Sequence, residues 1–170
     1  MLNREIRTVI DVGGQDCKVI CLDDAGDLKD FVMNEKCAAG TGRYLEIMAD
    51  LLNVSLDDLG KISLKAKSAI SMTSVCSIYA QAEVLQYISK KARKEDIAAG
   101  INKAMAERVI TMTKKLSLEP KYTISGGVAK NIGVVYNMEK ILGIKFEKLP
   151  IDTQLVGALG AAFFAKDNVK

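Results

Sequence analysis

R-T-V-I-D-V-G-G-Q-D-C-K-V-I-C-L-D-D-A-G-D-L-K-D-F-V-M, residues 7–33, holds three short β-type runs separated by two turn signals. The first run ends in the pair Gly13-Gly14, the second covers residues 17–22, and the third follows the turn D-D-A-G-D at 23–27. Runs this short, joined by turns this tight, predict an antiparallel meander. Outward from it, residues 39–53 carry apolar positions at helical spacing, and S-L-D-D at 55–58 opens a short helix with capping-box character. A helix is expected over 73–91 with Cys76 in its first turn. A longer one is expected over 94–118, with Ile97, Ile101, Met105, Val109, Met112 and Leu116 as a buried stripe, stopped by Pro120. A strand at 122–124, a helix at about 128–142 ending at Gly143, a strand at 144–147 and a last helix at about 153–165 complete the chain. The small residues of that last helix (Gly157, Ala158, Gly160, Ala161, Ala162) suit very close packing. The order β-β-β-α, then inserted helices, then α-β-α-β-α predicts an α/β fold, a mixed sheet flanked by helices.

Composition narrows the function classes. The 170 residues fit one domain with a real core, and 49% hydrophobic against 26% charged is ordinary for a globular protein. A net charge of +3, scattered lysines and few aromatics give no nucleic-acid stripe. No apolar run reaches membrane-span length, and the charged N-terminus M-L-N-R-E-I-R is no secretory signal, so a cytoplasmic protein is expected. There is no histidine, which excludes Ser-His-Asp and Cys-His catalysis and any histidine-ligated metal within the chain. Of the four cysteines, Cys17 and Cys21 fall on one face of a strand and are expected as inert buried thiols. No C-x2-C pair is present, which argues against a closed zinc site.

Three short stretches carry chemistry. In D-V-G-G-Q-D, Asp11 stands at a strand end before a turn whose backbone can approach phosphate oxygens closely. Asp11 is also placed to hold the water shell of Mg2+; the alternative is a plain hairpin turn. S-G-G-V-A-K-N at 125–131 follows a strand and opens a helix, the setting in which a helix start meets an anion or a flat ring. The alternative there is a tight strand-to-helix turn. K-C-A-A-G-T-G-R at 36–43 puts Cys37 before a glycine-punctuated helix start, where unpaired N–H groups favour thiolate; the alternative for Cys37 and Cys76 is a pair of buried thiols that bind nothing.

Together, D-V-G-G-Q-D-C-K-V-I (11–20), M-N-E-K-C-A-A-G-T-G-R (33–43), S-V-C-S-I-Y-A-Q-A-E (74–83) and S-G-G-V-A-K-N (125–131) resemble the activator ATPases of (R)-2-hydroxyacyl-CoA dehydratases and the related ATPase subunits of benzoyl-CoA reductase. The resemblance runs from about residue 8 to 165. It implies the ribonuclease H-like, actin-like fold of the acetate and sugar kinases, actin and heat-shock chaperones. It also implies ATP or ADP with Mg2+ in a cleft, with Asp11, Gly13, Gly14, Gln15 and Asp16 on the phosphate side and Gly126, Gly127 and Asn131 on the adenosine side. A 4Fe–4S cluster shared across a homodimer is implied as well, with Cys37 and Cys76 as each chain's ligands. An electron would pass from it to a dehydratase or reductase component. Arg43 would balance cluster charge or lie on the surface, and Glu83 would be a partly buried acid near the cleft or a solvated one.

Family members carry a preceding half of similar fold, so residues 1–170 are expected as a single domain matching the second half, with inserted helices at about 37–92. An excised domain, a split subunit partnered by a first-half domain, and a stand-alone protein all fit. The principal reading is an ATP-dependent iron–sulfur electron-transfer activator in half-length form. The alternative is a nucleotide-binding or assembly module of the same superfamily without redox work. No side chain presents itself as a catalytic base, so no catalytic residue is assigned and a small-molecule kinase ranks last.

Overall fold

The computed structural model describes residues 3–34, 37–73 and 76–169; positions 35–36 and 74–75, inside two of the quoted motifs, lie outside the described residues. β1 (Thr8–Val12), β2 (Cys17–Leu22) and β3 (Leu28–Asn34) form the expected meander, and β4 (Tyr122–Ser125) joins β1 in parallel. The sheet order is β3-β2-β1-β4. Thr8, Ile10 and Val12 alternate with Val9 and Asp11, so β1 turns one face into the core and carries Asp11 on the other. β3, an edge strand, is largely exposed and bears Lys29 and Asp30, charges that discourage edge-to-edge pairing. Residues 144–147 do not form a full strand: Glu147 makes an isolated parallel bridge to Thr123, its N–H donating to the Tyr122 carbonyl while its own carbonyl accepts from the Thr123 hydroxyl instead of a ladder N–H.

The helices are α1 (Gly42–Leu52), α2 (Leu56–Ser63), α3 (Ser77–Ser89), α4 (Lys94–Thr113), α5 (Ile132–Leu142) and α6 (Val156–Asn168). Three helix starts depart from the sequence reading. A 3-10 turn (Ala38–Gly40) precedes α1 and is separated from it by Thr41. Cys76 is the residue before α3, not within its first turn. Another 3-10 turn (Gly127–Lys130) ends at Asn131, whose side chain accepts from the N–H groups of Gly133 and Val134 and so starts α5 afresh. Ser55 caps α2 as its sequence predicts, accepting from the Asp58 N–H at 3.1 Å.

α4 is the axis of the core. Ile97, Ile101, Met105 and Val109 are fully buried, as the stripe predicts, but so are Ala98 and Ala106 off that line, because α2, α3, α5 and the sheet surround it. α4 ends at Thr113 rather than Leu118, leaving Met112 and Leu116 half-buried. A buried polar knot ties it to its neighbours. Asn102 donates to the Leu59 carbonyl and accepts from Asn131. Gly133 sits so close to Ser63 and Asn102 that a Cβ there would overlap both, and a Cβ on Gly60 would stand 2.6 Å from Asn131 Oδ1.

α6 departs furthest from expectation. None of its residues is buried, and Gly157 and Gly160 have nothing within 4 Å of where a Cβ would stand. Its small residues therefore make no close packing within the described chain; Val156, Leu159, Gly160 and Phe163 line an open recess with Val9 and Thr123, and Val156 and Leu159 are half-buried.

The two glycine settings predict opposite outcomes. Gly133→Ala overpacks the buried knot and should lower unfolding stability by about 1–3 kcal/mol. Gly160→Ala, in an open helix interior, should raise it by up to about 1 kcal/mol. Urea unfolding of both variants measures the difference.

Candidate functional site

A cleft of about 270 Å³ opens at the carboxyl ends of β1 and β4. Gly13 and Gly14 form one lip, Gly127, Val128 and Asn131 the other, with Glu46 of α1 and Asp57 of α2 completing the wall. The lip is held by main chain alone: the Gly42 and Arg43 N–H groups donate to the Gly13 and Gly14 carbonyls at 2.8 and 2.9 Å. A Cβ on Gly42 would stand 3.2 Å from that backbone, so glycine is what allows the approach. On the other side Gly126 has φ +85, and a Cβ there would overlap the Val12 carbonyl. Its N–H donates to the Thr153 carbonyl (2.9 Å), and Thr153 Oγ1 donates back to its own carbonyl (3.0 Å).

The eight sequence-predicted cleft residues divide. Gly13, Gly14, Gly127 and Asn131 line the cleft. Gly126 shapes it from behind. Gln15 is exposed at the hairpin tip. Asp11 and Asp16 sit beside the cleft in a charge cluster: Ser125 Oγ donates to Asp11 (2.6 Å), Lys18 Nζ to Asp16 (2.6 Å), and Lys18 lies 3.7 Å from Asp11. Lys18, Asp11 and Ser125 are cross-strand neighbours on β2, β1 and β4, so sheet register alone brings them together. Burial would depress the Lys18 ammonium, but the bond to Asp16 and the charges of Asp16 and Asp11 outweigh it and raise its pKa. Asn131 lines the cleft while its amide is occupied by the α5 cap and by Asn102.

Sequence reasoning missed Glu46, Asp57, Lys130 and Gln154. Glu46 lies one helical turn beyond Gly42, a spacing that places both on one face. Lys130 belongs to a quoted motif but is fixed by partners far along the chain, bonding Asp152 (2.8 Å) and Gln154 (2.6 Å). Gln154 arrives through the reversal after Pro150, which leaves no local signal.

The cysteines separate cleanly. Cys17 and Cys21 are buried, as expected. Cys37 is exposed and Cys76 half-exposed, so neither is an interior thiol. Both are the residues immediately before a helical segment, and neither side chain caps it. The two segments converge on α4. Asn34 Nδ2 holds the Cys37 carbonyl (3.1 Å), while Arg108 of α4 packs against Gly40. On the Cys76 side, the Lys67 N–H donates to Asp96 (2.8 Å), and Gly100 admits the Ile70 carbonyl against α4. Glu83 of α3 accepts from the Thr73 N–H (3.0 and 3.1 Å) and hydroxyl (3.2 Å), which fixes the approach to Cys76 and puts this acid beside the cysteine segment rather than in the cleft. Arg43 is exposed and paired with Glu46 at 2.9 Å, on the cleft side of α1. Among the described residues no group of three or more His, Cys, Asp or Glu side chains could hold a metal ion. No described helix is long and apolar enough to cross a membrane.

With this geometry in place, comparisons give the lineage. The profile of the BadF/BadG/BcrA/BcrD ATPase family matches residues 1–165. A 2-hydroxyisocaproyl-CoA dehydratase activator of Clostridioides difficile is 43% identical over 166 residues, covering 98% of this chain and 62% of the relative. The (R)-2-hydroxyglutaryl-CoA dehydratase activating ATPase of Acidaminococcus fermentans is 42% identical over 160 residues, 94% of this chain and 61% of the relative. The chain thus spans about three-fifths of the length of these relatives. Among solved structures, the activator of the 2-hydroxyisocaproyl-CoA dehydratase from Clostridium difficile with bound ADPNP superposes with a TM-score of 0.91 at 40% identity, covering 99% of this chain and 65% of that one. The ethanolamine utilization protein EutJ from Carboxydothermus hydrogenoformans, at 16% identity and a TM-score of 0.55 over 94% of this chain and 49% of that one, shares the fold alone. The fold is the actin-like ATPase fold that the sequence predicts.

Cys17 gives a pH prediction. Burial first, then the Asp11 and Asp16 charges, push its thiol from an ordinary 9.0 up to about 12. A group raised in the folded state favours folding below its unfolded pKa and loses that contribution as pH climbs through the folded value. Stability should therefore fall between pH 9.0 and about 12, and Cys17→Ala should flatten that slope in denaturation curves taken across the range.

Proposed function

The chain belongs to the BadF/BadG/BcrA/BcrD ATPase family, and from that premise we propose that it is the second half of an ATP-dependent electron-transfer activator of a 2-hydroxyacyl-CoA dehydratase or a benzoyl-CoA reductase-type enzyme. In this reading residues 1–170 act as one cytoplasmic domain. The cleft takes ATP or ADP with Mg2+, a first-half domain supplies the facing wall, and two copies share one 4Fe–4S cluster.

The observation that carries the reading is the chemistry of the cysteine pair. Cys37 and Cys76 are accessible, stand at two helix starts held on one helix, and provide two thiols where a four-thiolate cluster needs four. A second copy related by a two-fold axis supplies the other two. Ile78 and Tyr79, each 70% exposed and just past Cys76, offer apolar surface for that copy to cover. The donor set fits half a cluster. The cluster, when bound, supplies one-electron transfer.

The remaining work falls to this chain's own groups. The glycine lips admit phosphate oxygens and a flat ring without a Cβ between. Asp11, oriented by Ser125 and partly neutralised by Lys18, is placed to order the water shell of Mg2+. Asp96 ties residues 67–68 to the start of α4, and Glu83 of α3 holds Thr73 ahead of Cys76.

Anaerobic iron–sulfur reconstitution tests the reading. Brown protein with about two iron atoms per chain is expected, eluting as a dimer, and Cys37→Ser or Cys76→Ser should abolish the colour. A colourless parent protein would overturn the electron-transfer assignment and leave the nucleotide-binding module. Calorimetry with ADP and Mg2+ should give a Kd below about 1 mM; weaker binding would mean that this half alone does not hold nucleotide.

A further inference from the structure

Resting on the cluster reading above, we infer that Arg108 is a positioning residue that sets the electrostatics of the Cys37 side of the metal centre, and so how strongly reducing the delivered electron is. A recess of about 510 Å³, separate from the cleft, is lined by Cys37, Asn34, Thr73, Arg108 and Lys115. Arg108 projects into it from α4. Its Cγ and Cδ each lie 3.6 Å from where a Cβ on Gly40 would begin, so the stem packs on the turn that Cys37 opens. Asn34 Nδ2, 3.1 Å from the Cys37 carbonyl, stands 3.5 Å from the same point.

Arg108 is half-buried, and no carboxylate forms an ion pair with it among the described residues. Glu107 lines the same recess, its charge partly offset by Lys103 at 3.8 Å. Its charge also acts on Tyr44: burial pushes that phenol up to about 12, and Arg108 pulls against it. An arginine keeps its charge at any working pH, and a half-buried one is poorly screened. Adding one electron from a chemical donor such as titanium(III) makes the thiolate-bound centre more negative by one charge. A fixed cation beside it favours the reduced form, and in a two-fold dimer each copy brings its own.

The experiment is a redox titration of reconstituted dimer with titanium(III), followed by electron paramagnetic resonance, alongside iron content. Arg108→Gln keeps most of the stem and removes the charge. Its midpoint should move to more negative potential by about a tenfold change in the reduction equilibrium, 59 mV for one electron. Arg108→Lys should stay near the parent value. Lys115→Gln, an exposed change, should move it in the same direction by less. An Arg108→Gln dimer with full iron at the parent potential overturns the inference while leaving the cluster assignment standing. If Arg108→Gln loses iron, an unmoved Lys115→Gln midpoint overturns it instead. Parent protein that takes up no iron overturns the cluster reading itself.

Discussion

Asn131 sits where three helices and the S-G-G turn meet, and the architecture around the cleft depends on how its one side chain is used. Its carbonyl oxygen accepts from two N–H groups and starts α5; its amide nitrogen donates to Asn102 in the middle of α4. Both asparagines are nearly or wholly buried. A buried amide that lost a partner would leave a polar group stranded in a low-dielectric interior, at about 1–3 kcal/mol each. The arrangement is therefore close to all-or-none. It fixes the helix axes of α2, α4 and α5 against one another, and Gly60 and Gly133 bring the backbones near enough for the bonds to form.

α4 then distributes that rigidity. At its middle it meets the cleft through Asn102; at Asp96 and Gly100 it holds the strand of chain that leads to Cys76; near its end Arg108 rests on the turn after Cys37. Cleft-lining and cysteine-bearing segments thus both meet one helix. In the proposed reading, a centre shared by two chains needs its ligands held in well-defined positions, and a helix with one face buried in the core provides that better than loops do.

Much of this was legible in the sequence, for local reasons. The meander announced itself because runs of β-type residues ended in glycine pairs and an acidic turn. The helix axis at Lys94–Thr113 was visible in its apolar spacing. Sites defined by cross-strand register or by distant chain segments were not. Ser125 as the partner of Asp11, Gln154 beneath Gly127, and Arg108 beside Cys37 all follow from tertiary placement. Asn131 lines the cleft, but its local sequence gave no sign that a cap and a buried amide pair would occupy it. The small-residue spacing of α6 suggested close packing that the described chain does not provide, because a pattern records compatibility with a neighbour and not the neighbour's presence.

The hairpin lip has a consequence of its own. Gly13 and Gly14 are joined to Gly42 and Arg43 by main-chain hydrogen bonds, and one residue, Thr41, separates Gly42 from the turn that begins after Cys37. Displacement of the lip by anything bound there must drag the peptide planes at the head of α1, and with them the cysteine turn. The connection passes through amides that every residue shares, so side-chain drift across a lineage leaves it intact. Gly42 is the tight point of the linkage, where an added methyl group would stand 3.2 Å from the Gly13 and Gly14 backbone and press the lip away from the head of α1.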